Sequence, residues 1–292
     1  MFGVTNEKIL QIAMQQSAVD ASCCASDFCS EENKVVFSAE ARGARKYLSL
    51  PFYCNLISYG SNIVAAVDPQ IAPAVRSYLA RYPVEHCFET PNLHVLDAAL
   101  KTNGYKVCFM AEYFLPDLNL IHLQTCQYST RLLQPQDFAS YYLPEWSNAL
   151  CESRRQLDCL AVGAFDGETL VGLAGCSADC DTMWQIGVDV LPAYRRKGIA
   201  AAVTSKLAIE ILQRGIVPFY CAAWSNIRSV RNALRCGLKP AWVELTAKPE
   251  SFVHEMNFPS GMDFIDVQNI FSKGEISNGS TACRSSETAN IG

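Results

Sequence analysis

The residues of this sequence with the clearest chemical potential lie in VDVLPAYRRKGIAAAV, residues 188–203. Gly198 stands in the first turn of a predicted helix, where glycine costs about 1 kcal/mol relative to alanine. The start of a helix presents unpaired N–H groups and the positive end of the helix dipole. A residue without Cβ lets an anion approach that backbone, and Arg195, Arg196 and Lys197 add positive charge. The pattern therefore predicts a cradle for a pyrophosphate-sized anion.

The alternative is an ordinary basic helix start with an incidental glycine. The surrounding pattern argues against it, because a strand precedes the motif and a second helix start, at Asn226, follows downstream. Two other phosphate-binding motifs are absent from the sequence, namely the G-x-x-x-x-G-K-[ST] of P-loops and the G-x-G-x-x-G of dinucleotide-binding folds.

Hydrophobic periodicity predicts the elements that position this motif in two successive series. After a helix at 4–22 and a strand at 35–39, the first series has strands at 55–60, 62–67, 86–89 and 106–115 and helices at 69–82 and 91–103. The second has strands at 128–133, 159–165, 169–178, 182–190, 217–224 and 241–247 and helices at 196–214 and 226–236. The turn Asp166-Gly167 is a hairpin signal. The similar order of the two series indicates a weak internal repeat.

Composition narrows the classes of function. The chain has 292 residues, 50% of them hydrophobic, and a net charge of −5, so we expect no partner nucleic acid. We expect no membrane span, and the amphipathic N-terminus does not resemble a signal peptide, which predicts a cytoplasmic protein. The sequence holds 14 cysteines, spread largely through apolar strands, and we interpret them as buried free thiols rather than disulfides or metal ligands.

With these two motifs in view, the stretch 128–247 resembles the GCN5-related N-acetyltransferase (GNAT) family. Arg195, Gly198 and Ala200 fill the positions of that family's acetyl-CoA motif, Arg/Gln-x-x-Gly-x-Gly/Ala, after a strand, a proline and an aromatic residue. Asn226 and Ser229, followed by Gly237-Leu238, look like its second motif. The chain resembles most closely bacterial members that carry an extra N-terminal half.

The resemblance implies acetyl-CoA as co-substrate and assigns roles to residues of this sequence. The backbone of Val188, Asp189 and Val190 would pair with the pantetheine arm, and amides of Arg196, Lys197, Gly198, Ile199, Ala200 and Ala201 would hold the pyrophosphate. Asn226 would bond the pantetheine arm, and Ser229 would lie near the sulfur. An amine would then attack the thioester directly in a ternary complex, with an N–H stabilising the oxyanion.

The sequence departs from the family at both positions that usually carry catalytic groups. Trp184 stands where many members have a glutamate, and Ala233 stands where many have an acidic tyrosine. Glu145 and then Glu152 are the candidates for a base, against the alternative that both are surface carboxylates paired with Arg154 or Arg155. Asp179 and Asp181 are candidates for attracting a cationic amine, against the alternative of ordinary turn residues.

The fold class implied is α/β of the GNAT type, a mixed, mostly antiparallel sheet flanked by helices. We predict a degenerate GNAT-like domain at 1–125 that helps to shape the acceptor pocket, a catalytic domain at 126–250, and an extension at 251–292 that is disordered from about 272. The function expected is acetyl transfer to a small-molecule amine. Transfer to a protein or peptide amine and a CoA-binding module without chemistry remain alternatives, and a homodimer is an open possibility.

Overall fold

Ten strands rich in apolar residues form one continuous sheet in the computed structural model, which describes residues 2–258. The strands are β1 (Lys34–Phe37), β2 (Cys54–Ser58), β3 (Val64–Val67), β4 (Tyr105–Pro116), β5 (Ser129–Leu133), β6 (Asp158–Asp166), β7 (Thr169–Ser177), β8 (Met183–Val190), β9 (Val217–Ala222) and β10 (Leu238–Pro249). The helices are α1 (Asn6–Ala21), α2 (Ala72–Arg81), α3 (Thr90–Lys101), α4 (Pro135–Phe138), α5 (Ile199–Gln213), α6 (Ile227–Arg235) and α7 (Glu250–Asn257).

The two series of elements share this sheet by exchanging strands. Its order is β1-β3-β2-β10-β4-β9-β8-β7-β6-β5. Strand β4 of the first series lies between β9 and β10, while β10 of the second series lies between β4 and β2. The β4–β10 ladder is antiparallel and runs from Leu238 opposite Pro116 to Pro249 opposite Tyr105. The predicted domain boundary near residue 125 falls between β4 and β5, and it stays a prediction.

The mixed, mostly antiparallel sheet flanked by helices that we expected is confirmed. Only β1–β3 and β8–β9 pair in parallel among the described strands. Helix α5 packs against β6, β7 and β8 and buries Val203, Leu207 and Ile211. Contact with β7 is close, because a Cβ on Gly172 would lie 2.3 Å from a methyl group of Ile199. A second core, between the first-series strands and α2 and α3, includes Leu96 and Leu100.

Most predicted elements are present, with ends that differ by a few residues. The hairpin at Asp166-Gly167 is confirmed, since Asp166 pairs with Thr169 and Gly167 has a φ of +59°. The predicted strand at 86–89 is wrong, because Val84–Phe88 is a 3₁₀ helix. In the second series β9 pairs in parallel with β8, but in the first β1 takes the corresponding place beside β3. Because β3 pairs with β1 on one side and with β2 on the other, residues 86–89 cannot pair with it.

The composition led to expectations about the cysteines, about membrane spans and about the C-terminal tail. The cysteines of the described residues are free thiols, many of them buried. Within residues 2–258, no helix is long and apolar enough to cross a membrane. The tail from residue 272, for which we predicted disorder, lies outside the described residues.

Candidate active site

A gap opens in the sheet where two parallel strands part. Strands β8 and β9 pair only from Met183 opposite Val217 to Ile186 opposite Tyr220. Beyond that point β8 continues to Val190 along β7, whereas the last two residues of β9 pair with β4. The backbone of residues 187–190 therefore faces the gap on one side without a described strand partner, and its polar groups are available to a ligand.

A cleft of about 1150 Å³ lies at this gap, between the start of α5 and helix α6. Most of the cofactor-binding residues predicted from the sequence line it, namely Val188, Asp189, Val190, Arg195, Arg196, Gly198, Ile199, Ala200, Ala201, Asn226 and Ser229. Arginines are abundant, since Arg228, Arg231 and Arg235 of α6 face the same cleft. Among the described residues that line it, Asp189 is the only acidic one.

Lys197 differs from the other basic residues of the motif, because it does not line the cleft. Its Nζ lies 3.2 Å from the Tyr128 hydroxyl and 4.8 Å from the centre of the Tyr194 ring. Arg195 is anchored as well, since its Nε donates to the Val190 carbonyl at 3.1 Å. The proposed contribution of Lys197 is therefore limited to its backbone and to its charge at a distance.

The reason for Gly198 is different from the one suggested by the sequence. Gly198 caps α5 with a φ of +80°, in the left-handed region that favours glycine. A Cβ there would lie 3.6 Å from the Thr125 carbonyl oxygen, and Thr125 is outside the cleft. Arg196 also has a positive φ, +63°. Gly198 thus allows the tight turn that starts α5, and that turn leaves the first amides of the helix facing the cleft.

Asn226, which precedes α6, Ser229 of α6 and Tyr220 of β9 line the cleft and are connected by hydrogen bonds. The Asn226 side chain accepts a hydrogen bond from the Ser229 backbone N–H at 3.2 Å and so caps α6. The Ser229 hydroxyl lies 2.6 Å from the hydroxyl of Tyr220, which is 1% exposed. Burial raises the pKa of Tyr220 to about 12.

Tyr220 was missed by the sequence interpretation. It lies in VPFYCAAW, a run that is typical of a fully buried strand, and an aromatic residue in such a run ordinarily belongs to the core. Its hydroxyl becomes relevant only because α6 places Ser229 above it and because β9 ends at the gap. No local pattern in the sequence predicts the contact between the Tyr220 and Ser229 hydroxyls.

Residues 120–238 match the family model described as Acetyltransferase (GNAT) family. These residues form a GNAT acetyltransferase domain. The match covers the cleft and its two motifs and ends where β10 begins. Enzymes of the GNAT family use acetyl-CoA, an anionic co-substrate that suits a cleft with a helix N-terminus and several arginines.

Three of the solved structures that match the chain do so at low identity and low TM-score. A putative GNAT acetyltransferase from Novosphingobium aromaticivorans is 18% identical, with a TM-score of 0.38 over 49% of this chain and 66% of that one. A Drosophila protein is 14% identical, with a TM-score of 0.42 over 85% and 91%. A putative acetyltransferase from Salmonella typhimurium, solved with acetyl-CoA, is 16% identical, with a TM-score of 0.32 over 42% and 93%. No curated protein matches the chain.

Asp189 has a structural function in the GNAT domain besides the predicted one of its backbone. Its Oδ2 accepts from the N–H groups of Asn148 and Ala149, both at 2.9 Å, and its Oδ1 accepts from the Asn148 side chain at 2.7 Å. The segment that contains Asn148 and Ala149 packs closely against β8, because a Cβ on Gly187 would lie 1.8 Å from the Asn148 carbonyl oxygen. Asp189 and Gly187 together fix this wall of the cleft. Burial raises the pKa of Asp189.

The carboxylates suggested as catalytic lie elsewhere. Glu145 and Glu152 are exposed and do not line the cleft, and Glu152 pairs with Arg155 at 2.6 Å. That pair is the alternative we had kept open for Glu152. Asp179 is fully buried and pairs with Arg154 at 2.7 Å, and burial raises its pKa to about 6. Asp181 is exposed in the loop before β8. At the two departures from the family pattern, Trp184 is half-buried and Ala233 is buried.

A second, smaller cavity of about 90 Å³ lies on the opposite face of the sheet. Cys221 and Gln185 line it, whereas their strand neighbours Tyr220 and Ile186 point the other way, as alternate residues of a strand do. Its roof includes Tyr47 and Phe52 from the segment between β1 and β2. The two cavities therefore reach the β8–β9 junction from opposite faces.

Proposed function

We propose that this protein is an acetyl-CoA-dependent N-acetyltransferase that transfers the acetyl group to a primary amine of a small molecule. The observation that carries the proposal is the meeting of an anion-binding helix start with an open strand edge in one cleft. Five arginines line that cleft, and they provide positive charge for the phosphates of the co-substrate. The GNAT match to residues 120–238 supports the same conclusion.

Different residues of the cleft would bind different parts of acetyl-CoA. The amides from Arg196 to Ala201, at the start of α5, would hold the pyrophosphate, because all of these residues except Lys197 line the cleft and the first N–H groups of a helix have no intrahelical acceptors. The strand edge from Val188 to Val190 would pair with the amides of the pantetheine arm. Asn226 caps α6 with its side-chain oxygen and can donate its amide N–H₂ to the same arm.

The chemistry requires that the amine lose a proton and that the thiolate be stabilised. The amine nitrogen forms a bond to the acetyl carbon, the carbon–sulfur bond breaks, and the electron pair of that bond goes to sulfur. We place Ser229 beside the sulfur, with its hydroxyl backed by Tyr220 at 2.6 Å. Glu145 and Glu152 do not line the cleft, and we propose no proton transfer through them.

A small acceptor is favoured over a protein or peptide by the second cavity. It borders the β8–β9 junction from the face opposite the acetyl-CoA cleft, which is the side from which an amine would reach the thioester. Its volume of about 90 Å³ is much smaller than the 1150 Å³ of the acetyl-CoA cleft. Residues from both series line it, in agreement with the prediction that the N-terminal half shapes the acceptor pocket.

The test is acetyl-CoA binding by calorimetry with a charge placed in the cleft. Ala200→Glu adds a carboxylate in the first turn of α5, where an acidic residue stabilises the helix but repels an anion. Gln11→Glu makes the same charge change at an exposed position of α1 and is the control. We expect at least about tenfold weaker binding for the first variant and none of that loss for the second. Equal binding by both variants, or none by the native protein, would refute the proposed function.

A further inference from the structure

The second cavity is a slot between the sheet and the segment that joins β1 and β2. Its floor crosses four adjacent strands, with Gln185 on β8, Cys221 on β9, Tyr113 on β4 and Glu244 on β10. Neighbouring strands are about 4.8 Å apart, so β9 and β10 are separated by roughly 10 Å. One end of the slot is at the β8–β9 junction, where transfer would occur, and the other is at Glu244.

A buried carboxylate occupies the far end. Glu244 is 5% exposed, and its Oε1 accepts from Arg45 at 2.6 Å and from the Trp242 indole at 2.8 Å. No described residue donates a hydrogen bond to its Oε2. Because Glu244 lines the cavity, that oxygen is the acceptor available to a ligand at this end.

The charges around Glu244 do not balance. Arg45 is 3% exposed and binds two carboxylates, Glu244 and the fully buried Asp20. This group of three therefore carries a formal net charge of −1, and the further cation that lines the cavity without an ion pair among the described residues is Lys248. Buried charge is costly unless it is paired, so a cation that reaches Glu244 would gain more there than at the surface.

A second arginine lines the slot. Arg154 lines it and forms a neutral pair with buried Asp179 at 2.7 Å. Its guanidinium carbon lies 5.5 Å from the centre of the Tyr47 ring, and that of Arg45 lies 5.4 Å from the same ring. Both arginines therefore lie near the Tyr47 ring, Arg45 paired with Glu244 and Arg154 paired with Asp179.

We propose that the acceptor is a short, unbranched diamine, with its reactive amine at the β8–β9 junction and its second, cationic amine on Glu244 Oε2. This proposal rests on the proposed function and specifies its acceptor. The separation of roughly 10 Å between β9 and β10 suits a short linker, and Tyr113 and Phe109 provide an aromatic wall for its methylene groups. Lys248 also lines the cavity, and its Nζ lies 5.6 Å from the centre of the Phe252 ring.

The experiment compares three four-carbon amines as ligands of the full chain saturated with CoA, so that no turnover is needed. Putrescine has an ammonium at its far end, n-butylamine a methyl group, and γ-aminobutyrate a carboxylate. Calorimetry measures each dissociation constant for the native protein and for Glu244→Gln, which keeps an oxygen for Arg45 and Trp242 but removes the charge. Glu112→Gln on β4 is the control, because Glu112 points to the other face of the sheet.

We expect putrescine to bind at least about tenfold more tightly than n-butylamine, with γ-aminobutyrate weakest. This preference should disappear in Glu244→Gln and persist in Glu112→Gln. Equal binding of putrescine and n-butylamine, tighter binding of γ-aminobutyrate, or a preference that survives Glu244→Gln would overturn the proposal. Because acetyl-CoA binding is measured separately with Ala200→Glu, a failure of the diamine proposal is distinguishable from a failure of the proposed function.

Discussion

Replacing Tyr220 by phenylalanine tests how the leaving thiolate is stabilised. The substitution removes one hydroxyl, 2.6 Å from Ser229 Oγ in the acetyl-CoA cleft. The pKa of Tyr220 is about 12, whereas an ordinary thiol has a pKa of about 8.5. Moving a proton completely from this phenol to a thiolate would therefore cost about 5 kcal/mol, since each pKa unit corresponds to about 1.4 kcal/mol.

That cost predicts that Tyr220 supports the Ser229 hydroxyl as a hydrogen-bond donor and does not itself protonate sulfur. A hydrogen bond between neutral groups contributes about 0.5–1.5 kcal/mol, which corresponds to roughly a twofold to tenfold change in rate. We expect Tyr220→Phe to lower kcat by that factor, with KM for acetyl-CoA changed by less than about threefold. The shape of the pH–rate profile should be unchanged. The assay is steady-state release of free thiol between pH 6 and 10.

Tyr59→Phe is the matched control. Tyr59 is partly buried, and its hydroxyl lies 2.9 Å from a serine hydroxyl, that of Ser17, away from the cleft. Both variants should lose a similar amount of stability, but only Tyr220→Phe should lose activity. If kcat falls by more than a thousandfold and the alkaline limb of the profile disappears, Tyr220 is a proton donor and the reasoning is wrong. If the two variants are equally active, Tyr220 has only a structural role.

Two further substitutions test the framework around the site. Gly187→Ala should lower the free energy of unfolding in urea by about 3 kcal/mol, because the new Cβ would lie 1.8 Å from the Asn148 carbonyl oxygen. Gly3→Ala is the control, because a Cβ on Gly3 would have no atom within 4 Å. Equal stability of the two variants would contradict the close approach of Gly187 to Asn148. Burial raises the pKa of Asp158 to about 6, above roughly 3.9 in the unfolded chain. The folded state then binds more protons between these values, so the stability due to Asp158 falls by about 3 kcal/mol in total as pH rises from about 3 to about 7. Asp158→Asn should remove that part of the pH dependence. If the free energy of unfolding of the variant changes with pH as it does in the native protein, Asp158 does not contribute to that dependence.

The anion-binding motif is the part of the site that sequence determines most completely. A strand, a basic turn with Gly198 and a helix with small residues at its start are local features, and local backbone preferences suffice to place the amides of α5. Asn226 and Ser229 are equally local, because a cap and the residue three positions later meet in any helix start. The sequence also indicated the mixed sheet, since the alternation of strands and helices is a short-range property.

Tertiary structure decided the features that depend on distant parts of the chain. The exchange of β4 and β10 brings Glu244 into the cavity, and Arg45 meets it across 199 positions. Tyr220 acquires its partner only when α6 packs over β9. The segment 86–89 became a 3₁₀ helix because β1 filled its place in the sheet. Sheet pairing and burial are set by long-range contacts, and a pattern read along one segment holds no information about which other segment will cover it.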